Sequence, residues 1–188
     1  GGEARLMANP GEADSGAPLL ETGRLRLRGH RLDDYAALSA IWGDPEVVRF
    51  IGGVPATPHD AWLRLLRYAG LWKLLGYGFW AIEEKAGGHM LGDIGYMDVK
   101  RGMTPTLDGM PEVGWVLASD AQGQGSAGEA LAAVLAWGDA HFGAHRAACI
   151  IDPANAPSIR LATKAGFRFA HEATVHGDVV QVLFRDAG

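Results

Sequence analysis

Cysteine is nearly absent, with Cys149 the only one among 188 residues. A lone thiol excludes an internal disulfide and any multi-cysteine zinc site, and it makes a reducing compartment the default. Long apolar runs are missing as well. No stretch approaches the ~20 residues that a membrane helix needs, and no basic region followed by an apolar one stands near the start, so a soluble, cytoplasmic protein without a membrane partner is expected. Positive charge is not in surplus either: 17 Lys and Arg stand against 22 Asp and Glu, a formal net charge of −5, which argues against nonspecific nucleic-acid binding. The 7 histidines show no H-E-x-x-H or other metal-ligand spacing, so no metal is expected and His59, His141 and His145 carry no role.

What the chain has in excess is glycine, 27 residues of 188, about twice the ~7% of average proteins and without the G-x-y period of collagen. Turns at Gly87-Gly88 and Gly177 and helix stops at Gly43, Gly76 and Gly166 account for part of it. The length suits one domain with a sizeable core. Residues 1–19, rich in Gly, Ala, Pro and acid with no apolar period, are expected to be a disordered tail ahead of a single domain spanning 20–188.

Order is expected to begin near Glu21. Arg24 to Arg28 alternates strictly between arginine and leucine, the period-2 signature of a half-buried strand with the arginines on the wetter face. Asp33 is placed to cap a helix running through Ile41 and Trp42. Thr57-Pro58-x-Asp60 opens another, with Trp62, Leu65, Leu66, Ala69 and Trp72 at helical spacing toward the core. Strands are expected over 79–83 and 90–97 as a hairpin, and over 112–117 after a polar loop, 98–110, suited to bordering a substrate. Beyond Leu117 the pattern reads loop (119–128), helix (129–142), strand (147–151), helix (156–165) and a closing hairpin (167–170 with 179–184). Crossover helices imply parallel pairing here, so the sum is a mixed sheet with helices.

One glycine cluster remains. Gly123-Gln124-Gly125-Ser126-Ala127-Gly128 matches G-x-G-x-x-G, and Asp152 ends the next strand, where a ribose-binding acid would stand. Against a dinucleotide site, four residues separate strand from glycines, and only about 35 residues follow Asp152 for the further strand-helix units such a domain needs. A merely structural turn is a second reading. A third takes Gln122-x-x-Gly125-x-Ala127 as a phosphate-binding loop, in which successive backbone N–H groups turn inward at a helix N-terminus.

Gln122-x-x-Gly125-x-Ala127 after Pro111-Glu112-Val113-Gly114-Trp115-Val116-Leu117, then Asp152-Pro153-x-Asn155-x-x-Ser158 leading to Lys164-Ala165-Gly166-Phe167, resembles the GNAT superfamily of acyl-CoA-dependent N-acetyltransferases. Glu21-Thr22-x-Arg24-Leu25-x-Leu27-Arg28 and Asp44-Pro45-Glu46-Val47-x-Arg49-Phe50 are similar to its RimJ/RimL-like branch of ribosomal-protein N-terminal acetyltransferases. The resemblance covers about residues 20–185 and lies in the ordered set of phrases rather than in any one. It implies an α/β (α+β) fold: a central mixed, mostly antiparallel sheet flanked by helices, whose parallel fourth and fifth strands, here 112–117 and 147–151, splay apart. The pantetheine arm of acetyl-CoA would enter that cleft, pairing with the backbone of Val116, Leu117 and Ala118. Gln122, Gly123, Gln124, Gly125, Ser126 and Ala127 would hold the pyrophosphate, and Asn155 would contact the coenzyme arm. Two positions depart from the pattern: Ser126 is often aromatic in this branch, and Gly128 replaces a residue with a side chain, at up to ~1 kcal/mol of helix propensity.

The reaction implied is attack of an amine on a thioester. An N-terminal amine titrates near ~8 and a lysine near ~10.4, so a base is needed. The resemblance puts a glutamate at Glu112, here the expected base acting through a water; otherwise Glu112 is an ordinary strand-edge acid. A backbone N–H of 116–118 is the economical oxyanion donor. The departing thiolate, with a conjugate acid near ~8.5, needs only a hydroxyl. Ser158 matches a serine near the coenzyme sulfur in such enzymes, though a helix-start cap is the competing reading. Cys149, among apolar neighbours, suits an inert thiol and direct transfer. Arg160 and Lys164 are spaced either to reach the 3′-phosphate or to form a solvated face. Trp42, Phe50, Trp72, Tyr77 and Trp80 are shared between core and acceptor pocket, and the acidic excess weakly suits a cationic amine. The expected activity is acetyl transfer from acetyl-CoA to a primary amine, of a protein N-terminus or a small molecule. A noncatalytic acyl-CoA sensor and a nicotinamide-dependent oxidoreductase are the alternatives, and a homodimer is left open.

Overall fold

The computed structural model describes residues 16–187, and residues 1–15 of the expected tail lie outside the described residues. The remainder of that segment has contacts: the Pro18 carbonyl accepts from Trp80 Nε1 at 2.8 Å, and Ala17 packs against the core. A burying tryptophan needs a partner for its N–H, which no period in the sequence announces.

One eight-stranded sheet organises the chain, with β1 (Leu20–Glu21), β2 (Leu25–Arg28), β3 (Phe79–Glu84), β4 (Met90–Met97), β5 (Glu112–Leu117), β6 (Arg146–Ile151), β7 (Arg168–Val175) and β8 (Asp178–Asp186) in the spatial order 1-2-3-4-5-6-8-7. Every neighbouring pair is antiparallel except β5 and β6. The splayed parallel pair of the sequence reading is therefore present, numbered one place later because two-residue β1 adds an edge. The closing hairpin is longer than expected, since the polar positions His171, Glu172 and Thr174, the last two exposed, hide its alternation.

The helices are α1 (Tyr35–Trp42), α2 (Pro45–Val48), α3 (Pro58–Leu75), α4 (Ser126–Phe142) and α5 (Ala156–Lys164). Helix α3 begins at the expected box, with Thr57 and Asp60 each accepting from the other's N–H, and ends at Gly76 with φ 74°. Two details differ. Asp33 caps nothing and pairs with Arg31 at the surface; a short 3-10 turn precedes α1, and Asp34 accepts from the Arg31 N–H. The buried stripe of α3 is Ala61, Leu65, Tyr68, Leu71 and Trp72, leaving Trp62 and Leu66 exposed. Of the expected stripe, Leu65 and Trp72 are buried whereas Trp62, Leu66 and Ala69 are exposed, because apolar residues crowd every face of this helix.

Two buried clusters flank the sheet. Trp80, Ile82, Ile94 and Tyr96 meet Leu131, Val134 and Leu135 of α4 on one side, while Leu38, Ile41, Val48, Leu65 and Tyr68 of α1, α2 and α3 meet Phe79 on the other. The contact of α4 with the sheet depends on Gly138, where an added Cβ would sit 2.0 Å from the Tyr96 hydroxyl. Among the described residues no helix is long and apolar enough to cross a membrane.

Candidate active site

Strands β5 and β6 share one register pair, Glu112 with Ala148, closed by the Ala148 N–H donating to the Pro111 carbonyl at 3.0 Å. Beyond it they part. β6 continues in full register with β8, so the free edge of β5 faces a gap. Backbone alternation decides what that edge offers. The Ala118 N–H donates to the Leu91 carbonyl at 2.8 Å, and Val116 turns its carbonyl toward Gly92. Both are thus spent on β4, and Trp115 and Leu117 present their backbone groups to the gap. The Leu117 carbonyl accepts from Gln122 Nε2 at 3.2 Å.

A cavity of about 920 Å³ runs from this edge along α4. At its rim Gly123 and Gly125 adopt φ 76° and 81°, left-handed values that residues with a Cβ avoid. Gly125 is the N-cap of α4 and has no side chain with which to cap it, so the first-turn N–H groups stay open at the positive end of a 17-residue helix. That is the chemistry of an anion cradle. The helix starts three residues earlier than the sequence suggested, which puts Ser126 inside its first turn, buried.

The cradle is braced from outside. Arg24 donates to the Gln124 carbonyl at 3.0 Å and pairs with Glu129 at 3.0 Å. Glu129 also accepts from the Thr22 hydroxyl at 2.5 Å and the Arg24 N–H at 3.0 Å. These contacts, the Thr22 hydroxyl first, hold its carboxyl below the usual glutamate range. An acidic residue in the first turn is thereby neutralised beside the site.

A second cavity, about 550 Å³, opens on the α1–α3 side of the same gap. Phe50, Ile51, Trp115, Val116, Asn155 and Ser158 line both, so a molecule in each would meet at these residues. Asn155 Oδ1 caps α5 by accepting from the Ser158 N–H at 3.3 Å. The capping role considered for Ser158 thus belongs to Asn155, and the Ser158 hydroxyl oxygen accepts from Trp115 Nε1 at 3.3 Å. Glu112, 3% exposed, lines the second cavity and takes a bidentate pair from Arg101, at 2.8 and 2.9 Å. Burial of a carboxylate requires such a partner. Cys149 lies beside them, its thiol pushed far up by burial and secondarily by Glu112, and is a neutral, unreactive group.

A family model for the acetyltransferase (GNAT) domain matches residues 24–168, from the arginine that braces the cradle through the whole of the gap. The chain belongs to the GNAT acetyltransferase family. Among solved structures, a Bordetella pertussis protein described as a GnaT-family acetyltransferase is 32% identical, with a TM-score of 0.79 over 90% of this chain and 99% of that one. Among curated proteins, the uncharacterised N-acetyltransferase p20 of Bacillus licheniformis is 27% identical over 79% of this chain and 82% of its own. RimL, a ribosomal L7/L12 α-N-protein acetyltransferase solved in complex with coenzyme A, shares the fold at 15% identity, with a TM-score of 0.73 over 90% and 98% of the two chains. This GNAT acetyltransferase is accordingly an acyltransferase of a family that uses acetyl-CoA, and the oxidoreductase reading of Gly123 to Gly128 falls.

Most residues expected to hold the coenzyme line the larger cavity of this GNAT chain: Val116, Leu117, Gln122, Gly123, Gly125, Ser126, Ala127 and Asn155. Ala118 and Gln124 do not. The Ala118 N–H is used by β4, and Gln124 folds back, its amide donating to the Asp120 carbonyl at 3.2 Å. Lys164 lines the cavity and Arg160 does not. Of the aromatics, Trp42 and Phe50 line the smaller cavity, whereas Trp72 and Trp80 are core, edge-on to each other at 4.8 Å. The sequence reading missed Arg64, Arg67 and Arg101, which line the smaller cavity, and Asp93, whose carboxylate accepts from Trp42 Nε1 at 2.9 Å and pairs with buried His30. Of these four, only Arg101 falls within residues 98–110, read as a loop bordering a substrate.

Proposed function

We propose that the protein transfers an acetyl group from acetyl-CoA directly to a primary amine, of a protein N-terminus or a small molecule. The observation that carries this reading is the meeting of two cavities at the free edge of β5, one with an uncapped helix N-terminus and one with a buried carboxylate. Acetyl-CoA supplies an activated acetyl thioester. Its phosphates suit the backbone N–H groups of residues 123–127, and its arm suits the backbone of Trp115 and Leu117.

Glu112 is the proposed base. An ionised carboxylate has about four lone-pair sites, and Arg101 takes two of them, so the remainder can accept a proton relayed from the amine by water. The Leu117 N–H is the backbone donor proposed to face the developing oxyanion. Ser158, its oxygen already accepting from Trp115, retains its O–H to donate toward the departing sulfur. A neutral Cys149 supports direct transfer, and Cys149→Ala is expected to keep its turnover.

The test is thiol release from acetyl-CoA against a panel of amines. Amine-dependent release is the expected result. Coenzyme binding without amine-dependent release would replace this reading with that of an acyl-CoA sensor.

A further inference from the structure

The charge of the smaller cavity is arranged against the charge of the whole chain. A net −5 weakly suits a cationic acceptor, yet the cavity's α3 wall carries Arg64 and Arg67, neither of which has a carboxylate partner among the described residues. Arg64 stands over Trp42, its Cζ 3.4 Å from the ring centroid, and Nη1 reaches the Tyr68 hydroxyl at 3.4 Å. Its Nε is buried with nothing to donate to. Arg67 stands over the Tyr68 ring, held below the usual guanidinium value by partial desolvation and by its neighbour Arg64.

The other charges lining the cavity are mostly accounted for. Arg101 is bound to Glu112, Lys100 to Asp98 at 2.8 Å, and Asp93 to His30 and Trp42. Asp152 accepts from the Ala154 N–H and sits at the end of β6, on the sheet side with Glu112. His176 closes the rim from the β7–β8 turn. The cavity is thus polarised: uncompensated cation on the helix wall, carboxylates on the sheet wall. A pair of guanidinium groups, one with a buried idle donor, is a receptor for a carboxylate or phosphate.

We infer that the acceptor is a small primary amine that carries its own anionic group, the amine turned to Glu112 and Ser158 and the anion to Arg64 and Arg67. This rests on the acetyl-transfer reading above. A cavity of about 550 Å³ suits such a molecule, and purely cationic polyamines would set ammonium groups against the two arginines.

The experiment compares matched amines: 4-aminobutanoate against butylamine, O-phosphoethanolamine against ethanolamine, and spermidine alone. The anion-bearing member of at least one pair is expected to have a kcat/KM higher by roughly 10-fold or more, as a charged hydrogen bond implies, and the pair that responds tells carboxylate from phosphate. Arg67→Gln, at the cavity mouth, is expected to erase the preference while the thermal shift with coenzyme A stays. Equal or better kcat/KM of the anion-free amine in both pairs, or of spermidine over both anion-bearing amines, would overturn the inference and leave acetyl transfer standing. If no amine reacts, acetyl transfer to these amines fails, and calorimetry on the coenzyme A-loaded protein decides the rest. Tighter binding of N-acetyl-4-aminobutanoate or N-acetylated O-phosphoethanolamine than of N-acetylbutylamine supports the anion site, and equal binding overturns it.

Discussion

What the larger cavity offers at its rim is main chain: two left-handed glycines, an uncapped helix end and the free edge of a strand. The smaller cavity is made of side chains, with Trp42 from α1, Arg64 and Arg67 from α3, Arg101 from the loop before β5, Glu112 from β5 and Asp152 after β6. Backbone recognition demands geometry, which a short spaced motif can encode, and it suits a ligand common to many enzymes. Side-chain recognition demands particular functional groups from distant segments. A wall of that kind can change one residue at a time without disturbing the backbone-built cavity.

The largest effect that would break this contrast comes from Glu112→Gln. Loss of a general base lowers turnover by about 10²–10⁴-fold, and because Glu112 lines only the smaller cavity of the two, coenzyme binding should hold. A variant with wild-type kcat across pH would reduce Glu112 to the anchor of Arg101. On the backbone side the matching test is Gly125→Val. A β-branched residue at φ 81° is disfavoured by roughly 1–2 kcal/mol or more, so coenzyme affinity should fall by about tenfold, with the amine preference unaltered. Unchanged affinity would mean that the loop does not need its left-handed turn to hold phosphate.

These two sites also differ in how far they could be read from sequence. Gln122-x-x-Gly125 and Asn155 lie in contiguous phrases, so the glycine turn before α4 and the start of α5 are legible; crossover helices imply the parallel pairing, and the splay is implied by the family resemblance. The backbone groups of Val116 and Ala118 turn to β4 instead of the gap for a local reason: which way a backbone group points depends on strand register, and register is fixed by β4; Gln124 instead folds back onto the Asp120 carbonyl. Of the arginines of the smaller cavity, only Arg101 falls in a stretch, 98–110, that the sequence marks as bordering a substrate. Arg64 and Arg67 lie on a helix so rich in apolar residues that only Leu65 and Trp72 of its expected stripe are buried, which hides which flank faces the cavity. Arg101 becomes meaningful only once the loop folds its guanidinium onto Glu112. His30 and Asp93 meet across 63 positions, where no spacing rule operates.

The smallest effect sharpens the contrast from within the backbone-built side. Gly128 lies in the first turn of α4, where an alanine would be favoured by up to ~1 kcal/mol, yet unlike Gly123 and Gly125 it has no positive φ to require it. A Cβ placed there would meet only Leu161 Cδ1, at 3.6 Å, an ordinary contact. Gly128→Ala should therefore raise the melting temperature by a few degrees, consistent with a gain of up to ~1 kcal/mol in a domain of this size. The informative quantity is the coenzyme affinity of the same variant. If it holds or improves, the three glycines of the hexad divide into two that shape the cradle and one that merely follows it. If it falls while the melting temperature rises, the coenzyme itself occupies the space of that methyl group, and the helix propensity lost at Gly128 makes room for it.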